Sequence, residues 1–146
     1  MRNYEAKKPS YFATPSPQLV RALHTSLTQI TSVPLSQQFE AHKAASKKVK
    51  DTVKALGLRQ LANAPQDQAN GMTAIYLPDG VTVPDLLPKL AAKGFVMAGG
   101  LHKEIATKYF RFGHMGVSVT NGELGHIDNA LKALKESLAE AGYTQK

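Results

Sequence analysis

The chain has 146 residues, of which 42% are hydrophobic and none is cysteine, and its formal net charge of +7 gives a pI of about 9.7. This length and apolar content are enough to bury the core of one compact domain. The lack of cysteine excludes disulfides, thiolate metal sites and thiol nucleophiles, while the positive charge suits an anionic partner without selecting one.

Neither a membrane span nor a secretory signal is expected. The sequence has no run of eighteen apolar residues, and the polar residues 1–8 are not followed by an apolar stretch. We therefore expect an intracellular protein with no membrane partner, and the peroxisome, the mitochondrion and the cytoplasm stay open. The last residues, 142–146, do not form a Ser-Lys-Leu peroxisomal signal.

Two helices are predicted in the first half of the chain. Ser16 is a favourable N-cap with Pro17 at the first helical position, and apolar residues then recur at helical spacing for about four turns. After a break at residues 32–34, a helix of about six turns is predicted to begin near Leu35 and to end at Gly57 in a left-handed cap. Its expected apolar face comprises Leu35, Phe39, His42, Ala45, Val49, Val53 and Leu56.

Short strands and one helix are predicted between residues 58 and 112. Leu58–Leu61 suits a short strand, and the polar residues 62–71 suit a loop. Gly99 and Gly100 are interpreted as a tight turn between strands. The remaining elements are strands at Met72–Leu77, Phe95–Ala98 and Tyr109–Phe112 and a helix at Pro84–Lys93, which Gly94 would cap.

The last helix is predicted to begin after a capping box at Thr120–Glu123, which has the Thr-x-x-Glu pattern. Its apolar stripe runs from Leu124 to Leu138, and Gly142 would end it. The elements together predict an α+β fold, in which a helical connector precedes a small, mainly antiparallel sheet that helices cover on one face.

Five segments carry a family resemblance. They are Asn3–Glu5, Tyr11–Pro15, Gly71–Ala74, Ala98–Leu101 and Arg111–Gly116. In this order they resemble the closing portion of class V pyridoxal-phosphate aminotransferases of the alanine–glyoxylate, or serine–pyruvate, type, with the nearest likeness to fungal members. The Tyr-x-x-Thr-Pro segment and the arginine strand followed by Gly-His-Met-Gly are the most specific parts.

The resemblance implies a division of the chain into two parts. A subunit of this family has a large domain that binds pyridoxal 5'-phosphate and a smaller C-terminal domain, and two subunits share each active site. Residues 1–33 would then belong to the tail of the large domain and the dimer contact, and residues 34–146 would form the small domain. The implied partners are a second copy or an intact aminotransferase subunit, together with small amino-acid and oxo-acid substrates.

Tyr11 and Thr14 match family positions that contact the cofactor phosphate of the neighbouring subunit. A threonine hydroxyl just before a helix lies near free backbone N–H groups and the positive end of the helix dipole, which favour an anion. Without the resemblance, Thr14 would be interpreted as a turn residue and Tyr11 as a packing residue.

Arg111 matches the family arginine that binds the substrate carboxylate. Strand alternation sends Phe110 and Phe112 to one face and Arg111 to the other, so its guanidinium can enter a cleft. Two parallel hydrogen bonds from a guanidinium suit a carboxylate. The alternative is a surface arginine in an ordinary salt bridge.

No lysine is expected to bind the cofactor covalently. Transamination needs such a lysine, and in the family it comes from a part of the large domain that precedes this region. Lys47 and Lys48 follow Ser46 on a charged helix, which does not match the family setting. The resemblance therefore implies a partial aminotransferase, alanine or serine to glyoxylate or pyruvate in its parent reaction, that is inactive alone.

A different class of function rests on a lysine stripe. Lys43, Lys47, Lys50 and Lys54 share one side of the long helix and could make the chain a basic nucleic-acid-binding or protein-binding module. No aromatic platform accompanies the stripe, so we expect a solvated helix face and no nucleic-acid partner. The five histidines lack metal-ligand spacing, and no metal site is expected; His114 is expected near the cleft without a chemical role.

Overall fold

The computed structural model describes residues 2–10 and 14–144. The chain divides into two compact units, Met1–Leu35 and Ser36–Lys146. Tyr11 lies outside the described residues, so its predicted contact stays a prediction. None of the described helices is long and apolar enough to cross a membrane.

The first unit contains helix α1 (Arg2–Glu5) and helix α2 (Pro17–Thr31). Helix α2 begins where the sequence predicted, after an extended Ser16. The side chain of Ser16 does not cap the helix, and its hydroxyl donates to the side-chain oxygen of Gln18 at 3.3 Å. The apolar stripe of α2 is exposed and comprises Leu19, Val20, Leu23, Leu27 and Ile30.

Helix α3 (Leu35–Ala55) is the predicted long helix. Gly57 follows it with φ +71°, a left-handed conformation that glycine adopts without strain. Only the later turns are buried, since Val49 and Val53 are inaccessible to solvent whereas Phe39 is 60% exposed. The predicted continuous apolar face of α3 is therefore covered over its C-terminal half only.

The second unit contains a three-stranded antiparallel sheet. Its strands are β1 (Met72–Tyr76), β2 (Ala98–Gly99) and β3 (Tyr109–Gly113), in the order β1-β3-β2. Strand β2 lies later in the chain than the strand predicted at Phe95–Ala98. Gly99, predicted in a turn, pairs with Phe110 inside the sheet. The predicted strand at residues 58–61 reduces to one bridge between Gln60 and Ile75.

Helix α4 (Val83–Ala92) begins with a capping box that the sequence analysis missed. Both the backbone N–H and the hydroxyl of Thr82 donate to the carboxylate of Asp85, at 2.9 and 2.5 Å. The bond from the Thr82 backbone N–H group is the one that satisfies a donor at the start of the helix, as the acidic residue of a capping box does.

The predicted start of the last helix was wrong. Thr120 ends a short helix, α5 (Val117–Thr120), a 3₁₀ turn follows at Gly122–Leu124, and helix α6 (His126–Glu140) begins after Gly125. Gly125 has φ +62°, so the chain turns sharply just before α6 and cannot continue a helix from Thr120. The end of α6 at a left-handed Gly142, with φ +90°, matches the prediction.

The core lies between one face of the sheet and helices α3, α4 and α6, which confirms the predicted α+β fold. Phe110 and Ile75 contribute from the strands, and both are completely buried. The helices contribute Val49, Val53, Leu86, Leu90, Leu134 and Leu138. Arg111 and its neighbours in register, Ala74 and Ala98, lie on the opposite face of the sheet and are not part of this core.

Candidate substrate-carboxylate site

Arg111 lies in the middle of the central strand, on the face away from the core. Its neighbours in register are Ala74 on β1 and Ala98 on β2. Directly opposed residues in adjacent strands bring their Cβ atoms to about 5 Å, so two alanines leave room around a long side chain. The strand alternation of Phe110, Arg111 and Phe112 agrees with the sequence, because both phenylalanines are buried and Arg111 is half-buried.

One hydrogen bond holds the guanidinium of Arg111. Its Nε donates to the carbonyl oxygen of Gly99 at 2.8 Å. None of the salt bridges among the described residues involves Arg111, and its terminal nitrogens have no hydrogen-bond partner there. A guanidinium oriented through Nε keeps its two Nη groups available for a planar anion, which is the geometry that carboxylate recognition uses.

The loop after β2 is held next to Arg111 by Tyr109. The Tyr109 hydroxyl accepts hydrogen bonds from the backbone N–H groups of Leu101 at 2.9 Å and His102 at 3.2 Å. These bonds, with the nearby Arg111 charge, lower the pKa of the phenol below its ordinary value despite burial. The sequence pattern predicted only a strand at Tyr109. The signal for its role was its position two residues before Arg111, on the same face of that strand.

His114 is completely buried just after the strand of Arg111. Its Nδ1 lies 3.1 Å from the carbonyl oxygen of Asn70, and its Nε2 lies 2.8 Å from the hydroxyl of Thr73. A carbonyl can only accept, so Nδ1 carries the proton and Nε2 of the neutral ring accepts from Thr73. Burial lowers the pKa of His114, backbone hydrogen bonds oppose this lowering in part, and the nearby Lys50 charge adds to it. His114 thus ties β3 to β1 and its preceding loop.

His42 connects helix α3 to the segment after His114. Its Nδ1 lies 2.7 Å from the carbonyl oxygen of Gln38, and its Nε2 accepts the backbone N–H of Gly116 at 3.1 Å. Gly116 has φ +67°, a conformation that disfavours other residues. His42 is half-buried, in agreement with the expectation that it packs.

Thr14 lies in the first unit, three residues before the first residue of α2. The Ser16 side chain does not cap the first turn of α2, whose backbone N–H groups lie at the positive end of the helix dipole. The start of α2 is therefore compatible with an anion contact near Thr14. Thr14 belongs to the first unit, whereas Arg111 belongs to the second.

Two of the four lysines in the stripe on α3 form ion pairs within the helix. Lys43 contacts Glu40 at 2.7 Å and Lys47 contacts Asp51 at 2.5 Å on the same helix, while Lys50 donates to the carbonyl oxygen of Ala69 at 3.0 Å. Pairs of this spacing are typical of a solvated helix face. The described residues contain no cluster of His, Asp and Glu that could hold a metal ion.

A separate cavity of about 540 Å³ lies where α3 and α6 end. Arg59 stacks over the ring of Tyr76 in its wall, with Cζ 5.2 Å from the ring centroid, and Tyr143 lines it as well. Neither Thr14 nor Arg111 lines this cavity. Arg59 is therefore an exposed arginine outside the candidate site.

Known proteins resemble the chain over most of its length. Alanine–glyoxylate aminotransferase 1 of Saccharomyces cerevisiae is 39% identical over 140 residues, which is 94% of this chain and 36% of the relative. Serine–glyoxylate aminotransferase of Hyphomicrobium methylovorum is 32% identical over 82% of this chain and 30% of the relative. The homologues of the present chain are thus alanine–glyoxylate and serine–glyoxylate aminotransferases. These similarities confirm the family resemblance that the sequence motifs indicated, and the family depends on pyridoxal phosphate. No family model matches the chain.

Solved structures show the same fold. Pyridoxamine–pyruvate aminotransferase from Mesorhizobium loti superposes with a TM-score of 0.82 at 26% identity, over 93% of this chain and 34% of that one. Ureidoglycine–glyoxylate aminotransferase from Bacillus subtilis gives a TM-score of 0.80 at 22% identity, over 92% and 34%. The chain thus spans about a third of the length of the aminotransferases that it matches.

Proposed function

We propose that this chain is one part of a pyridoxal-phosphate aminotransferase that moves an amino group between alanine or serine and glyoxylate or pyruvate. Arg111 binds the substrate carboxylate, Thr14 and Tyr11 contact the cofactor phosphate across a subunit interface, and a lysine outside these residues anchors the cofactor. The observation that carries the proposal is the half-buried Arg111 between two alanines, with its terminal nitrogens unpaired among the described residues.

The shape of the arginine site supports a carboxylate ligand. The bond from Nε to the Gly99 carbonyl fixes the plane of the guanidinium, and a fixed fork loses less conformational entropy when it binds. Alanines at positions 74 and 98 add no charge and no bulk beside it. Arg111 would then orient an amino or oxo acid by its carboxylate, which brings the reacting α-carbon to a defined place.

The cofactor phosphate fits the start of α2. An anion next to Thr14 would lie near the backbone N–H groups of the first helical turn, which the Ser16 side chain does not cap. Tyr11 precedes Thr14 by three residues in the matching segment. When bound, pyridoxal phosphate supplies an electron sink for the substrate α-carbon.

The described lysines support an anchoring lysine from elsewhere. A lysine that reacts with a carbonyl is typically desolvated, which lowers its pKa and exposes its lone pair. Every described lysine is exposed or half-buried. Burial lowers the pKa of Lys50, but its ammonium group donates a hydrogen bond to the Ala69 carbonyl.

A chimaera tests the role of Arg111. In it, this chain replaces the matching 36% of the yeast relative, so that the remaining residues come from a complete aminotransferase. We expect Arg111→Ala to raise KM for both alanine and glyoxylate about 100-fold, equivalent to about 2.8 kcal/mol of carboxylate binding. Arg111→Lys keeps the charge without the fork and should fall between the two.

Arg59→Ala is the matched control, since it removes an equally charged side chain outside the site. KM in this variant should stay at the value of the unmodified chimaera. Equal KM values in Arg111→Ala and Arg59→Ala would contradict the assignment of Arg111 to the substrate carboxylate.

A further inference from the structure

The position of the Arg111 guanidinium depends on one short strand. Its anchor is the carbonyl of Gly99, the last residue of the two-residue strand β2. Gly99 pairs with Phe110, and the strand pairing ends there. A strand this short holds its final carbonyl only if the residues that follow are fixed as well.

Three consecutive backbone N–H groups after Gly99 are all bound. Gly100 donates to the carbonyl oxygen of Ala106 at 3.1 Å, and Leu101 and His102 both donate to the hydroxyl of Tyr109. Tyr109 is the first residue of β3, and alternation places it on the same face as Arg111. One phenol oxygen therefore joins the end of β2 to the strand that carries the arginine.

Gly100 allows this arrangement because it has no side chain. A Cβ at this position would lie 2.5 Å from Cε1 of Tyr109 and 2.6 Å from the carbonyl oxygen of Ala106, closer than real Cβ contacts. The ring of Tyr109 thus lies directly against the Gly100 backbone. Tyr109 itself is only 4% exposed, so neither its ring nor its hydroxyl can move easily.

We propose that Tyr109 is a positioning residue for Arg111. Its hydroxyl fixes the backbone at Leu101 and His102, its ring fixes Gly100, and the Gly99 carbonyl that results holds Nε of the arginine in the orientation that meets a carboxylate. This inference rests on the proposed role of Arg111 for its functional meaning. Its structural content, the coupling from the Tyr109 hydroxyl to Arg111, holds with or without a substrate.

The Arg111 Nε–H group provides a direct measurement. In the 15N-labelled chain of 146 residues, its NMR signal is assigned by its loss in Arg111→Lys. The rate at which this proton exchanges with water reports how well the Gly99 carbonyl holds it. We expect Tyr109→Phe, which removes only the hydroxyl, to speed the exchange about three- to tenfold.

Tyr143→Phe is the matched control. It removes a part-buried tyrosine hydroxyl that donates one hydrogen bond, to the Leu56 carbonyl at 2.7 Å, in a different part of the unit. We expect this variant to leave the Arg111 signal unchanged. An equal acceleration in both variants would show a general loss of stability and overturn the proposal.

Gly100→Ala acts on the same contact from the loop side and decides the question if Tyr109→Phe does not fold. Its added methyl group must displace the Tyr109 ring and the Ala106 carbonyl, both of which hold this loop, so the Arg111 Nε–H exchange should accelerate here too. Unchanged exchange in each folded variant of this pair would refute the coupling. Adding glyoxylate to the unmodified chain is a separate arm, because a constant Arg111 signal there counts against the carboxylate role and leaves the coupling intact.

Discussion

Arg111 and His114, three positions apart, are held by contacts of different kinds. The outward direction of Arg111 follows from strand alternation, a local rule, and the structure agrees with it. The ring nitrogens of the buried His114 bond to Thr73 and to the Asn70 carbonyl, 41 and 44 positions earlier in the chain. A local sequence pattern does not predict partners this distant, so the structural role of His114 could not be predicted.

His114 should make the stability of the chain depend on pH. Burial lowers its pKa in the folded state below the ordinary value of 6.5, so the unfolded chain binds the proton more strongly. The stabilising contribution is fully present above pH 6.5 and is lost as the pH falls from 6.5 towards the folded-state pKa. We expect urea denaturation to show a lower free energy of unfolding at pH 5 than at pH 7, with a slope of at most about 1.4 kcal/mol per pH unit from this group.

Replacing His114 by Gln removes the titrating group, so this part of the pH dependence should disappear. Lys50 and His42 also face His114, so the relevant quantity is the difference in pH dependence between wild type and variant. His24→Gln, at an exposed position of α2, should leave the slope unchanged. An unaltered slope in His114→Gln would show that another group causes the dependence.

At the scale of elements, the same capping pattern occurs twice and works once. Thr82 and Asp85 form the box that starts α4, where Leu86 and Leu90 then enter the core. The start signal predicted from the sequence was Thr120–Glu123, where Glu123 and Leu124 are exposed and the helix begins only after Gly125. Long apolar periods predicted the major helices well, but packing decided which of two local start signals is used.

Matched threonine substitutions test this difference. Thr82→Ala removes a side chain that bonds to Asp85, and we expect it to lower the free energy of unfolding by about 1 kcal/mol. Thr120→Ala changes a side chain with no capping role, and its effect should stay within about 0.5 kcal/mol. Urea denaturation followed by circular dichroism measures both. A larger loss from Thr120→Ala than from Thr82→Ala would contradict the assignment of the two start sites.

At the scale of the whole molecule, the chain has candidate ligand-binding residues and also an apolar helix surface that is exposed to solvent. Helix α2 exposes five apolar side chains, from 49% at Ile30 to 72% at Leu19. An amphipathic helix normally buries such a stripe against other protein. This surface and the coverage of about a third of the relatives fit the proposal that further aminotransferase residues complete the site.

The purified chain should therefore not hold pyridoxal phosphate covalently at one site. After incubation with the cofactor and reduction with borohydride, mass spectrometry should find only partial labelling spread over several of the fourteen lysines, because none of the described ones is desolvated by deep burial. The intact yeast relative, treated in the same way, should carry one cofactor per subunit on a single lysine. One stoichiometric adduct on a single lysine of this chain would instead show that its own residues complete a cofactor site. That result would contradict the proposal that a lysine from elsewhere anchors the cofactor.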